Sequence, residues 1–116
     1  MQKTCFRNKD LETRKRIHES ILESNPGKIQ IVILDPVQKN SPVLPKKKYL
    51  VSPLMTVNDF TKCLKSKMIL HSNQTIFLTC GQEIITGSKT ISEIYNNHKD
   101  EDGFLYISYR TEDTFG

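Results

Sequence analysis

At 116 residues and 13.4 kDa the chain has room for one hydrophobic core, and two full domains are excluded. Its 36% hydrophobic and 26% charged residues exclude a disordered or fibrous chain, and the longest apolar run, Ile31 to Leu34, excludes a membrane-spanning helix, which needs about 20 such residues. The net charge of +4 is unevenly spread, with fourteen Lys and Arg against six Asp and Glu in residues 1–67 and three against seven in residues 68–116. That polarity predicts one basic and one acidic surface, and a partner with acidic groups: peptide, phosphate or anionic membrane.

Met1 to Arg7 holds no apolar signal core, so a cytosolic or nuclear address is the default expectation. Glu12 to Ser24 predicts a helix, with Asp10 as N-cap, Glu12 in the first turn and a stop at Asn25-Pro26-Gly27. Its sparse apolar residues, Leu11, Ile17, Ile21 and Leu22, fit one narrow stripe on a sheet, with the Arg14-Lys15-Arg16 side left wet. Lys28 to Leu34 reads as a β-branched strand ended by Asp35-Pro36, and Pro36, Pro42 and Pro45 make the following stretch a loop. Lys48 to Val51 is a second strand, so the two should form a hairpin with a long connection.

Thr56-Val57-Asn58-Asp59 has the form of a capping box, and behind it Val57, Phe60, Cys63, Leu64 and Met68 share one helical face. Thr75 to Cys80 is a third strand closed by Gly81; Thr90-Ile91-Ser92-Glu93 opens a short helix; Phe104 to Tyr109 is the last strand. The order of a hairpin, a crossing helix and further strands describes an α+β, ubiquitin-like β-grasp with an added N-terminal helical segment. Residues 1–27 form that segment, residues 28–110 the β-grasp core and residues 111–116 a flexible tail, all one structural unit. A ferredoxin-like arrangement competes but needs a helix between its first two strands.

Catalytic signals are missing: there is no nucleophile with a base, no paired carboxylates and no phosphate-binding glycine loop. Cys5, Cys63 and Cys80 are odd in number and lack a C-x-x-C pair, and His18, His71 and His98 lack ligand spacing, so neither a disulfide, a metal site nor a cofactor is expected. Cys63 reads as a small core hydrophobe rather than a nucleophile. Asp100-Glu101-Asp102 lacks the spacing of a calcium loop and reads as a solvated turn. Along Lys46 to Val51, side chains alternate, so Lys48 and Leu50 share one face and Tyr49 and Val51 the other. If this strand is an edge, its lysines either merely guard it or flank a site for adding a peptide strand.

Lys46-Lys47-Lys48-Tyr49-Leu50-Val51, the Met55-Thr56-Val57-Asn58-Asp59-Phe60 pattern, the segment Asp100 to Tyr109 and the terminal Phe115-Gly116 give the sequence its most specific likeness. From about Phe6 to Gly116 it resembles the autophagy-related protein eight family of ubiquitin-like modifiers. The resemblance implies a non-enzymatic tag. Its C-terminal Gly116 would be activated by an activating enzyme, passed to a conjugating enzyme and joined to phosphatidylethanolamine, with a cysteine protease processing or releasing it.

The resemblance also implies two pockets for an aromatic-x-x-aliphatic motif carried by cargo receptors and adaptors. The aromatic pocket maps to Ile17, Ile21, Gln30, Val32, Lys48, Leu50 and Phe104; the aliphatic pocket to Tyr49, Val51, Met55, Phe60 and Cys63; and the motif's acids to Lys28, Lys46 and Lys67. Ile17, Asn25, Gln30 and Ser52-Pro53 depart from the family pattern, which implies a pocket of different depth and polarity. A further family surface includes Phe77, although a strand Phe usually belongs to a core. The expected protein is a monomer, cytoplasmic and peripheral on autophagic membranes when lipidated, with no nucleic-acid partner. The competing reading is an unconjugated β-grasp adaptor that binds tubulin or nucleic acid through its basic face.

Overall fold

Side-chain caps define where each helix begins. Asp10 accepts a hydrogen bond from the Thr13 backbone N–H at 2.9 Å and opens α1 (Leu11–Ser24). Thr56 does the same for Asp59 at 3.1 Å, opening α2 (Val57–Lys65), and Thr90 for Glu93 at 3.2 Å, opening α3 (Ile91–His98). The starts of α2 and α3 are also stitched to each other, the Val57 N–H donating to the Lys89 carbonyl and the Ile91 N–H to the Met55 carbonyl. Orphan donors of two helix ends are thereby satisfied by one crossing.

The computed structural model describes residues 6–36, 42–70 and 74–113. Between the helices run β1 (Ile29–Ile33), β2 (Lys48–Val51), β3 (Gln74–Cys80), β4 (Glu83–Ile85) and β5 (Leu105–Asp113), which form one five-stranded sheet in the order β2-β1-β5-β3-β4. The β1–β2 pair is antiparallel and the β1–β5 pair parallel, while β5–β3 and β3–β4 are antiparallel. This is the expected β-grasp with its N-terminal helix. The hairpin is present, with Gln30 opposite Leu50 and Val32 opposite Lys48.

All five residues of β1 are buried because the sheet is covered on both faces. Ile29, Ile31 and Ile33 face the main core, which gathers Val57, Phe60 and Leu64 of α2, Ile91 and Ile94 of α3, and Leu105 and Ile107 of β5. Val32 enters a smaller cluster with Phe6, Phe104 and Tyr106, against which Ile17 and Ile21 of α1 pack. Phe104 meets Phe6 edge-on at 4.8 Å and His18 at 5.4 Å. Gly103 permits that approach: its φ is +97°, and a Cβ there would lie 2.3 Å from the His18 ring.

Six expectations need correction. The three-residue β4 was missing from the predicted order, and the last strand runs on to Asp113, so Thr111 to Asp113 are strand rather than tail. Phe77 is not core: it is half-buried and alternates with the buried Ile76 and Leu78. Cys63 is likewise only half-buried, beside the fully buried Phe60 and Leu64. Finally, the Asp100-Glu101-Asp102 turn is not simply solvated, nor is the Arg14 side of α1 simply wet.

Asp102 is 1% exposed. Its Oδ2 accepts from Arg14 Nη1 at 2.6 Å and from the Tyr106 hydroxyl at 2.5 Å, and its Oδ1 accepts from the Phe104 N–H at 2.8 Å. Arg14 also donates through Nε to the Lys9 carbonyl at 3.0 Å, and Arg7 reaches Asp100 at 3.2 Å. Burial, then the bond to Asp102, raises the Tyr106 phenol well above its ordinary range, so it stays a donor. A buried charge held by donors from α1, from β5 and from Phe104 just before it ties the helix to the sheet where its apolar stripe is thin.

Asp102→Ala should therefore remove the buried acceptor shared by Arg14 and Tyr106, leaving Arg14 with Asp100 at 3.4 Å and the Lys9 carbonyl, and destabilise the fold by about 3 kcal/mol in urea unfolding, whereas a loss near zero would show that the network adds nothing. Burial, and then Glu83, push the Cys80 thiol up to about 12. Iodoacetamide at pH 8 should accordingly alkylate Cys63 but leave Cys80 unlabelled in the folded protein, as read by peptide mass spectrometry.

Candidate functional site

The sheet order leaves β2 with a neighbour on one side only among the described residues. The Ile33 N–H donates to the Lys47 carbonyl at 2.7 Å, which marks residues 33 and 47 as a hydrogen-bonded pair of the antiparallel ladder. By the alternation of such ladders, Tyr49 and Val51 also turn their backbone groups toward β1, and Lys48 and Leu50 turn theirs outward. The side chains alternate in step: Lys48 and Leu50 are exposed, Tyr49 and Val51 buried. Two residues thus present both free backbone groups and an accessible side chain.

Beside this edge, between β2 and α1, lies a cleft of about 390 Å³ lined by Ile21, Asn25, Gln30, Ile31, Lys46, Lys48, Tyr49, Leu50 and Phe104. Five of the seven residues expected in an aromatic pocket line it: Ile21, Gln30, Lys48, Leu50 and Phe104. Ile17 and Val32 sit in or against the small cluster with Phe6 and Tyr106. Asn25, expected only as a departure that alters the pocket's depth and polarity, lines it as well. It caps α1, its backbone N–H and its Nδ2 both donating to the Ile21 carbonyl, and that role at a helix stop was the signal that could have placed it here.

Of the residues expected in an aliphatic pocket, Tyr49 also borders this cleft, while the set as a whole gathers on the main-core side of β2. Tyr49, Val51 and Phe60 belong to the main core, with the Tyr49 and Phe60 rings edge-on at 5.8 Å, and Met55 packs against that core partly exposed. Cys63 is the half-buried member on α2. A ligand on this side would meet Met55 and Cys63 first.

Cations frame the edge. Lys46 Nζ lies 5.3 Å from the Tyr49 ring centroid, and Lys48 Nζ lies 4.1 Å above Phe6. Burial, then the charge of Lys9, lowers the Lys48 pKa. Lys47 instead pairs with Asp35 at 2.7 Å. Lys28 is exposed and lines a separate hollow of about 300 Å³ with His18, Gln30 and Tyr95, while Lys67 is exposed just beyond α2. Lys46 and Lys48 are therefore at the cleft, Lys28 is near its far end, and Lys67 is on the flank carrying Cys63.

A larger hollow, about 680 Å³, lies toward the β4 end of the sheet and is lined by residues including Leu34, Thr79, Gln82, Ile84 and Arg110. None of the expected site residues reaches it. Size favours that hollow, but chemistry favours the β2 cleft, where apolar walls, cations and free backbone groups converge. Among the described residues no three His, Cys, Asp or Glu side chains group as a metal site, and no helix is long and apolar enough to cross a membrane. Gly116 lies outside the described residues, as do Cys5, His71 and Phe115.

The family described as "Autophagy protein Atg8 ubiquitin like" matches residues 13–116. Autophagy-related protein 8 of Mycosarcoma maydis is 35% identical over 115 residues, covering 98% of both chains. Autophagy-related protein 8a of Arabidopsis thaliana is 35% identical over 117 residues, covering 100% of this chain and 96% of that one. The crystal structure of Trypanosoma brucei ATG8 matches with a TM-score of 0.84 at 27% identity, covering 98% of this chain and 99% of that one. Plasmodium falciparum Atg8, solved in complex with a Plasmodium falciparum Atg3 peptide, matches with a TM-score of 0.82 at 25% identity, covering 97% and 99%. A β-grasp with an N-terminal helix, an open lysine-flanked edge and this likeness along nearly its whole length make the chain a member of the Atg8 family of ubiquitin-like autophagy proteins.

Proposed function

We propose that this chain is a non-catalytic modifier, attached through the carboxylate of Gly116 to the amine of phosphatidylethanolamine, and that it docks short acidic aromatic-x-x-aliphatic motifs of cargo receptors and adaptors on autophagic membranes. The observation that carries the docking half is the β2 edge, with Lys48 and Leu50 turned outward beside an apolar cleft. A peptide added there gains main-chain hydrogen bonds from the edge and selectivity from the side-chain sites on either side of it. Lys46 and Lys48 favour acidic residues in such a peptide and disfavour basic ones. Each anchor side chain buried contributes about 1.5–3 kcal/mol gross, from which the ordering of the peptide subtracts, so modest and exchangeable binding is the outcome.

The conjugation half rests on the family match, which extends to residue 116. Two acyl chains anchor a protein stably where one does not, so a single covalent step to a diacyl lipid is enough to bring the folded domain to a membrane. An activating enzyme, a conjugating enzyme and a processing or delipidating cysteine protease are the partners this chemistry requires. The Plasmodium falciparum relative bound to an Atg3 peptide supports the conjugating enzyme as one of them. Before conjugation the protein is cytoplasmic; afterwards it is peripheral on autophagic membranes.

Leu50→Ala should weaken an acidic aromatic-x-x-aliphatic peptide about tenfold or more in calorimetry while leaving the thermal midpoint nearly unchanged, because Leu50 is 43% exposed and outside both cores. Equal affinity would reject the cleft. In cells, Gly116→Ala should abolish a membrane-pelleting species whose C-terminal fragment carries a phosphatidylethanolamine mass; persistence of that species would reject conjugation at this carboxylate.

A further inference from the structure

Ile69 is 93% exposed, more than any other large apolar side chain among the described residues. Its neighbours hold it there. Met68 is buried in the main core and Leu70 packs half-buried against it, while the Lys67 N–H donates to the Leu64 carbonyl at 3.0 Å and the Met68 N–H to the Lys65 carbonyl at 3.1 Å. A tight turn that continues α2 therefore projects Ile69 into solvent on a fixed frame, so covering it costs little ordering of the backbone. The exposed Lys62, Lys65 and Lys67 lead up to it, and residues 60–82 contain no Asp or Glu.

This tip lies toward the end of the sheet where β5 runs out. Residues 69 and 70 lead on to β3, whose first residue, Gln74, pairs with Asp113, the last of β5. Three residues separate Asp113 from Gly116, so a lipid joined to that carboxylate lies within about 10 Å of the β3–β5 end. A bilayer tethered so closely must face that end. The acids there, Glu112 and Asp113, are outnumbered by the three lysines together with Arg110.

We infer that the end of α2, with Ile69 as an apolar wedge and Lys62, Lys65 and Lys67 as its cationic rim, is the surface by which the conjugated protein rests on an anionic phospholipid leaflet. This rests on the conjugation reading above. An exposed isoleucine gains by entering the boundary between headgroups and acyl chains, and lysines near a negative leaflet add attraction while their long stems keep each ammonium among the headgroups. One wedge and three cations bind a membrane weakly by themselves. Once the lipid bond holds the domain at the surface, its effective concentration is high and they need only orient it.

The chain has no tryptophan, so a single introduced indole reports where the tip sits. Full-length protein with a C-terminal hexahistidine extension is held on nickel-chelating vesicles of phosphatidylcholine and phosphatidylserine. That tether needs no conjugating enzyme, so failure here leaves the conjugation reading standing, and the Gly116→Ala experiment judges that reading separately. Ile69→Trp is compared with Leu54→Trp. Leu54 is 79% exposed and follows β2 at the end of the sheet where β5 begins, with the nine residues of α2, about 13 Å, between the two positions. Lipids brominated in their acyl chains should quench the indole of Ile69→Trp about twofold or more and that of Leu54→Trp hardly at all. In phosphatidylcholine alone, or with Lys62→Gln, Lys65→Gln and Lys67→Gln combined, the quenching at position 69 should fall by about half. Equal quenching at the two positions, none at position 69, or quenching indifferent to phosphatidylserine would each overturn the inference. So would an indole at position 69 that stays in water on the vesicle but is covered when an acidic peptide is added, which would assign the tip to a protein partner.

Discussion

The parallel pairing of β1 with β5 constrains where everything else can lie. β5 also pairs with β3 on its other side, so β1 has one remaining edge, and the hairpin fills it with β2. Among the described residues no strand lies beyond β2, and the segment that follows it is committed to α2, whose capping Thr56 and stitched start hold it against α3. The strand richest in lysine, with Lys46 to Lys48 leading into it, is therefore an edge strand, as β4 is at the other end of the sheet.

The cleft beside that edge exists because α1 covers its face of the sheet incompletely. α1 has no fully buried residue and touches the sheet through Ile17 and Ile21, leaving space between its exposed side and β2. A helix with so little apolar contact would be weakly held by packing alone. The Arg14–Asp102–Tyr106 network adds a buried, charge-assisted link from α1 to β5, so the wall of the cleft stays in place without being drawn down onto β2.

Local elements were readable because their causes are local. The Thr56 and Thr90 caps, the Asp10 cap, the β-branched run of β1 and the alternation in Lys48 to Val51 each depend on residues within a few positions of one another. β4 escaped because Glu83 to Ile85 is too short to show a period. The extension of β5 escaped because Arg110 to Asp113 is polar and is strand by virtue of β3 alongside it, with Phe77 opposite Arg110 and Gln74 opposite Asp113. Much of the aromatic cleft followed from the family likeness, with Asn25 entering it only as a departure from the family pattern.

By itself, the sequence determined a single small domain, the caps that start its helices, the strands that alternate or run apolar, and a likeness strong enough to name a family. The tertiary structure alone decided that Asp102 is buried, because its partner Arg14 lies 88 positions away and only folding brings the charges to 2.6 Å. It alone decided that Gln30 is enclosed between α1 and the sheet with half its amide unused. Burial of a polar group depends on what covers it from elsewhere in the chain, and no spacing rule reports that.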